Sequence, residues 1–92
     1  MNLENNTLIT VPVIGGHKFT WGVLSGSYGK CFIYKEDGTY IDFYNAEGNQ
    51  RTIPLSSEAA TVTATFVTSN LDNSFIKDAT LGKYIWHGKN VK

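Results

Sequence analysis

Apolar and polar residues alternate along much of this chain with a period of two. That is the repeat of an extended strand, whose successive side chains point to opposite faces. The clearest case is "ATVTATFVTS": Val62, Ala64 and Phe66 take one side, and Thr61, Thr63, Thr65 and Val67 take the other. A threonine side suits a sheet face that meets water and still needs β-propensity. "HKFTWGVL" repeats the pattern, with His17, Phe19, Trp21 and Val23 opposed to Lys18, Thr20, Gly22 and Leu24. Residues 7–14 are β-branched and apolar, and Pro12 within them points to an edge position or a bulge.

Turn formers cut the rest into short pieces. Gly15-Gly16, "SGSYG", "EDG" and "AEGN" bound strands predicted over residues 30–35, 39–45 and 50–55, and "SNLDNS" reads as a further turn. "FIKDATLGKYIWHG" reads as two short strands, or as one strand and a turn at "DATLG". No segment carries a helical stripe, and the single helical candidate is one turn at "LSSEAA", capped by Ser57. The pattern predicts one all-β domain over residues 7–92: a small antiparallel sandwich or barrel of about seven or eight short strands. Residues 1–6 are polar and read as a flexible tail.

The stretch "FIYKEDGTYIDFYNAEG" is the most informative, because it sets large aromatics around one sharp turn. A two-residue loop at Asp37-Gly38 would pair Lys35 with Tyr40 and Phe32 with Phe43. A three-residue loop with Gly38 left-handed would pair Lys35 with Thr39. The one-residue slip exchanges the buried side of the first strand. The three-residue loop sorts the chemistry better. It predicts an apolar face of Cys31, Ile33, Ile41 and Phe43, and an amphipathic face of Phe32, Tyr34, Tyr40, Asp42 and Tyr44. Tyrosine gives a large ring, a water-tolerant hydroxyl and little rotamer entropy to lose, so such a face suits contact with another molecule. It also suits the second buried side of a sandwich strand. A small domain has room for one core, burying only ~60–65% of its unfolded surface. If both hairpin faces are covered, a second copy or another protein covers one of them.

Composition narrows the function classes. Eight basic and eight acidic residues cancel, which argues against nucleic acid or an anionic membrane as partner. The opening "MNLENNTLITVPVIGG" has no basic leader, and its apolar run is too short and interrupted for a signal peptide or a membrane span. Cys31 is the one cysteine, so no intrachain disulfide forms; it reads as a small core hydrophobe. His17 and His87 lack metal-ligand spacing, the glycine-bearing "IGGHKF" and "SGSYGK" are not phosphate loops, and the carboxylates fall at turns and strand ends. Trp21 and Trp86 read as core anchors. No catalytic residue, cofactor or metal is expected.

The tail "LGKYIWHGKNVK", residues 81–92, resembles the ends of small β-domains in bacteriophage structural proteins, where an aromatic strand runs into a polar turn. The Thr-, Asn- and Gly-rich strands are similar to those of virion accessory proteins. The resemblance implies a non-enzymatic virion component, assembled in a host cytoplasm: a capsid decoration, neck, tail or fibre subunit. Such a subunit acts by contact with itself, as a homo-oligomer, and with other virion proteins. The residues expected to make contact are Tyr34, Tyr40, Asp42 and Tyr44, together with Leu8 and Val11 on a strand-exchanging arm at residues 7–13, with Gly38 forming the turn. A rival reading is a carbohydrate-binding module that stacks Tyr34, Tyr40 and Tyr44, or a Trp, on a glycan with Asp42 bonding its hydroxyls. A third is a small inhibitor of a host protein.

Overall fold

The computed structural model describes residues 5–92; residues 1–4, and with them most of the expected tail, lie outside the description. Eight strands follow in order: β1 (Asn6–Pro12), β2 (Lys18–Val23), β3 (Tyr28–Tyr34), β4 (Tyr40–Tyr44), β5 (Gln50–Pro54), β6 (Thr61–Val67), β7 (Ser74–Asp78) and β8 (Lys83–His87). They form two antiparallel four-stranded sheets, ordered β1-β6-β3-β4 and β5-β2-β7-β8. The sheets face each other as a sandwich and do not close into a barrel.

The alternating segments bury the sides that their pattern predicts. Phe19, Trp21 and Val23 of β2, and Val62, Ala64 and Phe66 of β6, line the interior with at most 2% exposure. Trp21 is the centre of this core. Its ring meets Tyr28 edge-on at 5.7 Å, and its Nε1 donates to the Gly29 carbonyl at 2.8 Å, so its polar atom is satisfied without water. Trp86 stacks on Phe66 at 5.6 Å and joins β8 to β6 across the sandwich. Cys31 is fully buried, and burial pushes its thiol up to about 12, so it packs as an apolar side chain.

The segments between strands differ from expectation in two places. "LSSEAA" makes a turn without helix, and Ser56 rather than Ser57 supplies the local bond, its Oγ accepting from Glu58 N at 3.2 Å. The stretch read as a plain turn before β7 forms a 3₁₀ helix, Thr68–Asn73. The chain end packs onto that helix. Asn90 N donates to the Asp72 carbonyl, Asn90 Nδ2 donates to Asn73 Oδ1, and Val91 is buried. Gly88 permits this approach, because a Cβ there would run into the carbonyls of Leu71 and Asp72. "DATLG" is a turn between two strands, the first of the two readings above.

Both prolines sit where a missing donor costs the sheet nothing. Val13 N donates to the Ala60 carbonyl, and the β1–β6 register then turns the backbone groups of residues 7, 9 and 11 toward β6. Residue 12 alternates with them, so the Pro12 nitrogen faces the free edge. Leu55 N donates to the His17 carbonyl, and the same reasoning sends the Pro54 nitrogen of β5 to its free edge. The other two edge strands, β4 and β8, each carry a bulge in their pairing. All four edges are therefore blunted against further pairing.

Candidate functional site

The β3–β4 hairpin was expected to present one aromatic face. Its turn is built as the three-residue loop: Lys35 N donates to the Thr39 carbonyl at 2.8 Å, Gly38 N donates to Lys35 O at 3.0 Å, and Gly38 has φ 89°. Asp37 Oδ1 accepts from Thr39 N, and its bonds to Thr39 hold the carboxyl below its ordinary range. Tyr34 accordingly pairs with Tyr40. One step further the register shifts. Ile33 faces Asp42, Phe32 faces Phe43 and Cys31 faces Tyr44, leaving Ile41 as the extra residue.

This bulge corrects the expected faces. Tyr44 turns inward with Cys31 and packs against the core, while Phe43 turns outward opposite Phe32. Ile41 remains on the core side as expected. The physical reason lies below the strand. The Arg51 guanidinium covers the Tyr44 ring at 5.3 Å and is itself fixed by Glu47 at 3.2 Å and by the Asn45 carbonyl at 2.8 Å. An inward Tyr44 thus closes the open end between β4 and β5. Asp42 occupies the bulge, exposed, with Oδ1 accepting from Phe43 N at 2.8 Å.

The outer face that results has an aromatic half and a threonine half. Tyr34 and Tyr40 meet edge-on at 6.1 Å, Phe32 and Phe43 meet tilted at 6.2 Å, and Lys30 Nζ lies 4.9 Å from the Phe43 ring centre. Tyr40 is 51% exposed and Phe43 is 40% exposed. Loss of water around Tyr40, with Asp42 and Tyr34 nearby, raises its phenol above the ordinary value, so the ring stays neutral at physiological pH. Beside these rings runs the β6 column of Thr61, Thr63 and Thr65. Thr63 shares a 2.8 Å hydrogen bond with Thr10 of β1.

The remaining expected contact residues separate. Leu8 lies on this outer face at its far edge, 57% exposed. Val11 points into the core at 6% exposure, and β1 is paired along its length with β6 of the same chain, from Asn6 onward. The segment read as an exchanging arm is therefore already used at home, and Asn6 belongs to the strand rather than to a tail. With Tyr44 on the opposite side from Tyr34 and Tyr40, the three-tyrosine sugar platform is not assembled. Sequence reasoning missed Phe43 and Lys30 as outer-face residues. An unbroken alternation assigns Phe43 inward, and nothing in "YIDFY" announces the extra residue.

No family model, no curated protein and no solved structure matches the chain, so the meaning of this face rests on its own geometry.

Proposed function

We propose that this chain is a non-enzymatic structural subunit of a bacteriophage-type virion, as a capsid decoration, neck, tail or fibre component. It works by contact with neighbouring subunits through the outer face of the β1-β6-β3-β4 sheet. One observation carries the reading: Tyr40 and Phe43 stand half-exposed in a continuous aromatic patch with Phe32 and Tyr34. Contiguous exposed rings on a small domain mark a surface meant to be covered. The virion context is supported by the threonine-rich strands, the asparagine-bearing turns and the phage-like end at residues 81–92. The blunted edges move the contact from strand pairing to the sheet face.

The test is incorporation into particles. Virions purified from the native source should contain the chain at a fixed copy number. A Tyr40→Ala, Phe43→Ala chain with an unchanged circular dichroism spectrum should be left out of them. Wild-type chain found only in the free fraction overturns the assignment.

A further inference from the structure

The outward side of the second sheet, β5-β2-β7-β8, differs in kind from the aromatic and threonine face described above. Phe19 and Trp21 point into the core, so Lys18 and Thr20 between and before them point out. The pairing then fixes one row across all four strands. Thr52 stands beside Thr20, Thr20 beside Lys77, and Lys77 beside Tyr84. Side-chain contacts agree with the register. The Thr20 and Thr52 hydroxyls share a hydrogen bond of 2.6 Å, and Lys77 Nζ lies 5.6 Å from the centre of the Tyr84 ring. The one acid on these four strands, Asp78, alternates to the inner side with Ile76 and accepts from His17 Nδ1 and Leu81 N. The outward side therefore carries the ammonium groups of Lys18 and Lys77 and no carboxylate. Neither lysine forms a salt bridge among the described residues.

Tyr84 is the ring that this row presents, 41% exposed and set in place by two neighbours. Phe75 meets it edge-on at 5.9 Å, and His87 meets it edge-on at 5.2 Å. Phe75 is buried, and His87 Nδ1 donates to the Gly88 carbonyl at 2.9 Å, so neither neighbour is loose. A ring already held in place loses little freedom when a ligand stacks on it.

We propose that this row binds an acidic glycan, a short run of sugars of which at least one bears a carboxylate. Tyr84 stacks on the C–H face of one sugar, Lys77 pairs with the carboxylate, and the exposed Thr52, oriented by Thr20, bonds sugar hydroxyls. Charge chooses this occupant over its competitors. A neutral sugar would draw Lys77 out of water without giving it a partner, which is costly. A nucleic acid binds through repeated phosphate contacts, and two lysines on a chain of no net charge supply few. The row spans three strand spacings, or ~14 Å, which is room for a short oligosaccharide laid across the strands. The site lies on the other sheet from Tyr40 and Phe43 and stays open when a neighbouring subunit covers them.

Titration of the isotope-labelled full chain with trigalacturonic acid, followed through amide chemical shifts, tests this. Shifts should concentrate at Thr20, Thr52, Lys77 and Tyr84. The uncharged trimer galactotriose should bind about tenfold more weakly, a difference of one ion pair. Lys77→Gln should bring the acidic trimer down to the level of the neutral one. Tyr84→Ala should abolish binding of both, and Tyr84→Phe, which keeps the ring and its contact with Phe75, should bind as wild type does. Melting temperatures of Lys77→Gln and Tyr84→Phe should match wild type, which separates a lost site from a lost fold. The Tyr40→Ala, Phe43→Ala chain should bind the trimer normally, so failure of the subunit contact and failure of this site are read separately. Equal binding of the two trimers overturns the proposal, as do tighter binding of an oligothymidylate of matched length, shifts confined to the other sheet, or no shift at millimolar trimer. Self-association that disappears in Lys77→Gln, with no response to trimer, would make an acidic protein surface the occupant and would also overturn it.

Discussion

The β3–β4 and β7–β8 hairpins are built from the same parts and put them to different uses. Each pairs an inner strand with a bulged edge strand, the extra residue being Ile41 in one and Ile85 in the other. In each, the edge strand sends an isoleucine and an aromatic toward the core: Ile41 and Tyr44, or Ile85 and Trp86. In each, an outer aromatic pair has a lysine over one ring. Phe75 meets Tyr84 at 5.9 Å, with Lys77 Nζ 5.6 Å from Tyr84, as Lys30 lies over Phe43.

The contrast lies in what each hairpin is tied to. Phe75 is 6% exposed, whereas Phe43 is 40% exposed. The β7–β8 turn is clamped by Asp78, whose Oδ1 accepts from Leu81 N at 2.8 Å while Oδ2 accepts from His17 Nδ1 at 2.9 Å. Thr80 adds a bond from Lys18 N at 2.7 Å. The β3–β4 turn has its own backbone bonds, the local Asp37–Thr39 bond of 2.9 Å and an exposed Lys35–Glu58 pair of 2.8 Å, which contributes little; no side chain of the facing sheet is bonded to it as His17 is to Asp78 among the described residues. The β7–β8 hairpin buries Phe75 and leaves Tyr84 exposed at 41%, whereas the β3–β4 hairpin exposes two neighbouring rings, Tyr40 and Phe43.

The largest expected effect tests the closed hairpin. Phe75→Ala should lower unfolding free energy by about 3 kcal/mol, as for a buried ring. Urea denaturation would show it, and a loss no larger than that of Phe43→Ala would erase the contrast. Next comes the open turn. Gly38→Val forces a β-branched residue to positive φ, at a cost of about 2 kcal/mol, read as a drop in melting temperature. An unchanged melt would refute the three-residue loop.

Acid titration sharpens the comparison further. Burial pushes the Asp78 carboxyl up, but the His17 and Leu81 hydrogen bonds outweigh it and hold the group below its ordinary value. A depressed carboxylate stabilises the fold above its unfolded pKa of ~3.9, and that contribution disappears as pH falls through the lower folded value. Wild type should therefore lose stability below about pH 4. Asp78→Asn, less stable at neutral pH, should show a flatter acid limb in melting temperature against pH. Parallel limbs would mean that the clamp does not hold the turn. The smallest effect is expected at the open face: Phe43→Ala should cost the isolated, dilute chain less than about 1 kcal/mol.

Much of this was legible in the sequence, and the misses share a cause. The inward sides of β2 and β6 follow from period-two alternation over Phe19, Trp21 and Val23, and over Val62, Ala64 and Phe66. Pro12 marked an edge, and Gly38 marked its turn. The site was half legible. Tyr34 and Tyr40 share the outer face, but Tyr44 and Phe43 exchange sides at the bulge. Alternation is a local rule, and a bulge is decided by what waits beneath the strand. Here that is Arg51, seven residues after Tyr44 and on the other sheet. Thr20 illustrates the same limit. Its side chain reads as solvent-facing, yet it is 5% exposed beside Thr52, to which it is bonded at 2.6 Å.

Pro12 and Pro54 give the molecule a colloidal property. Each removes the hydrogen that a passing backbone would grasp, one on either rim of the fold. A crowded solution of the chain would thus be protected from knitting into cross-β ribbon.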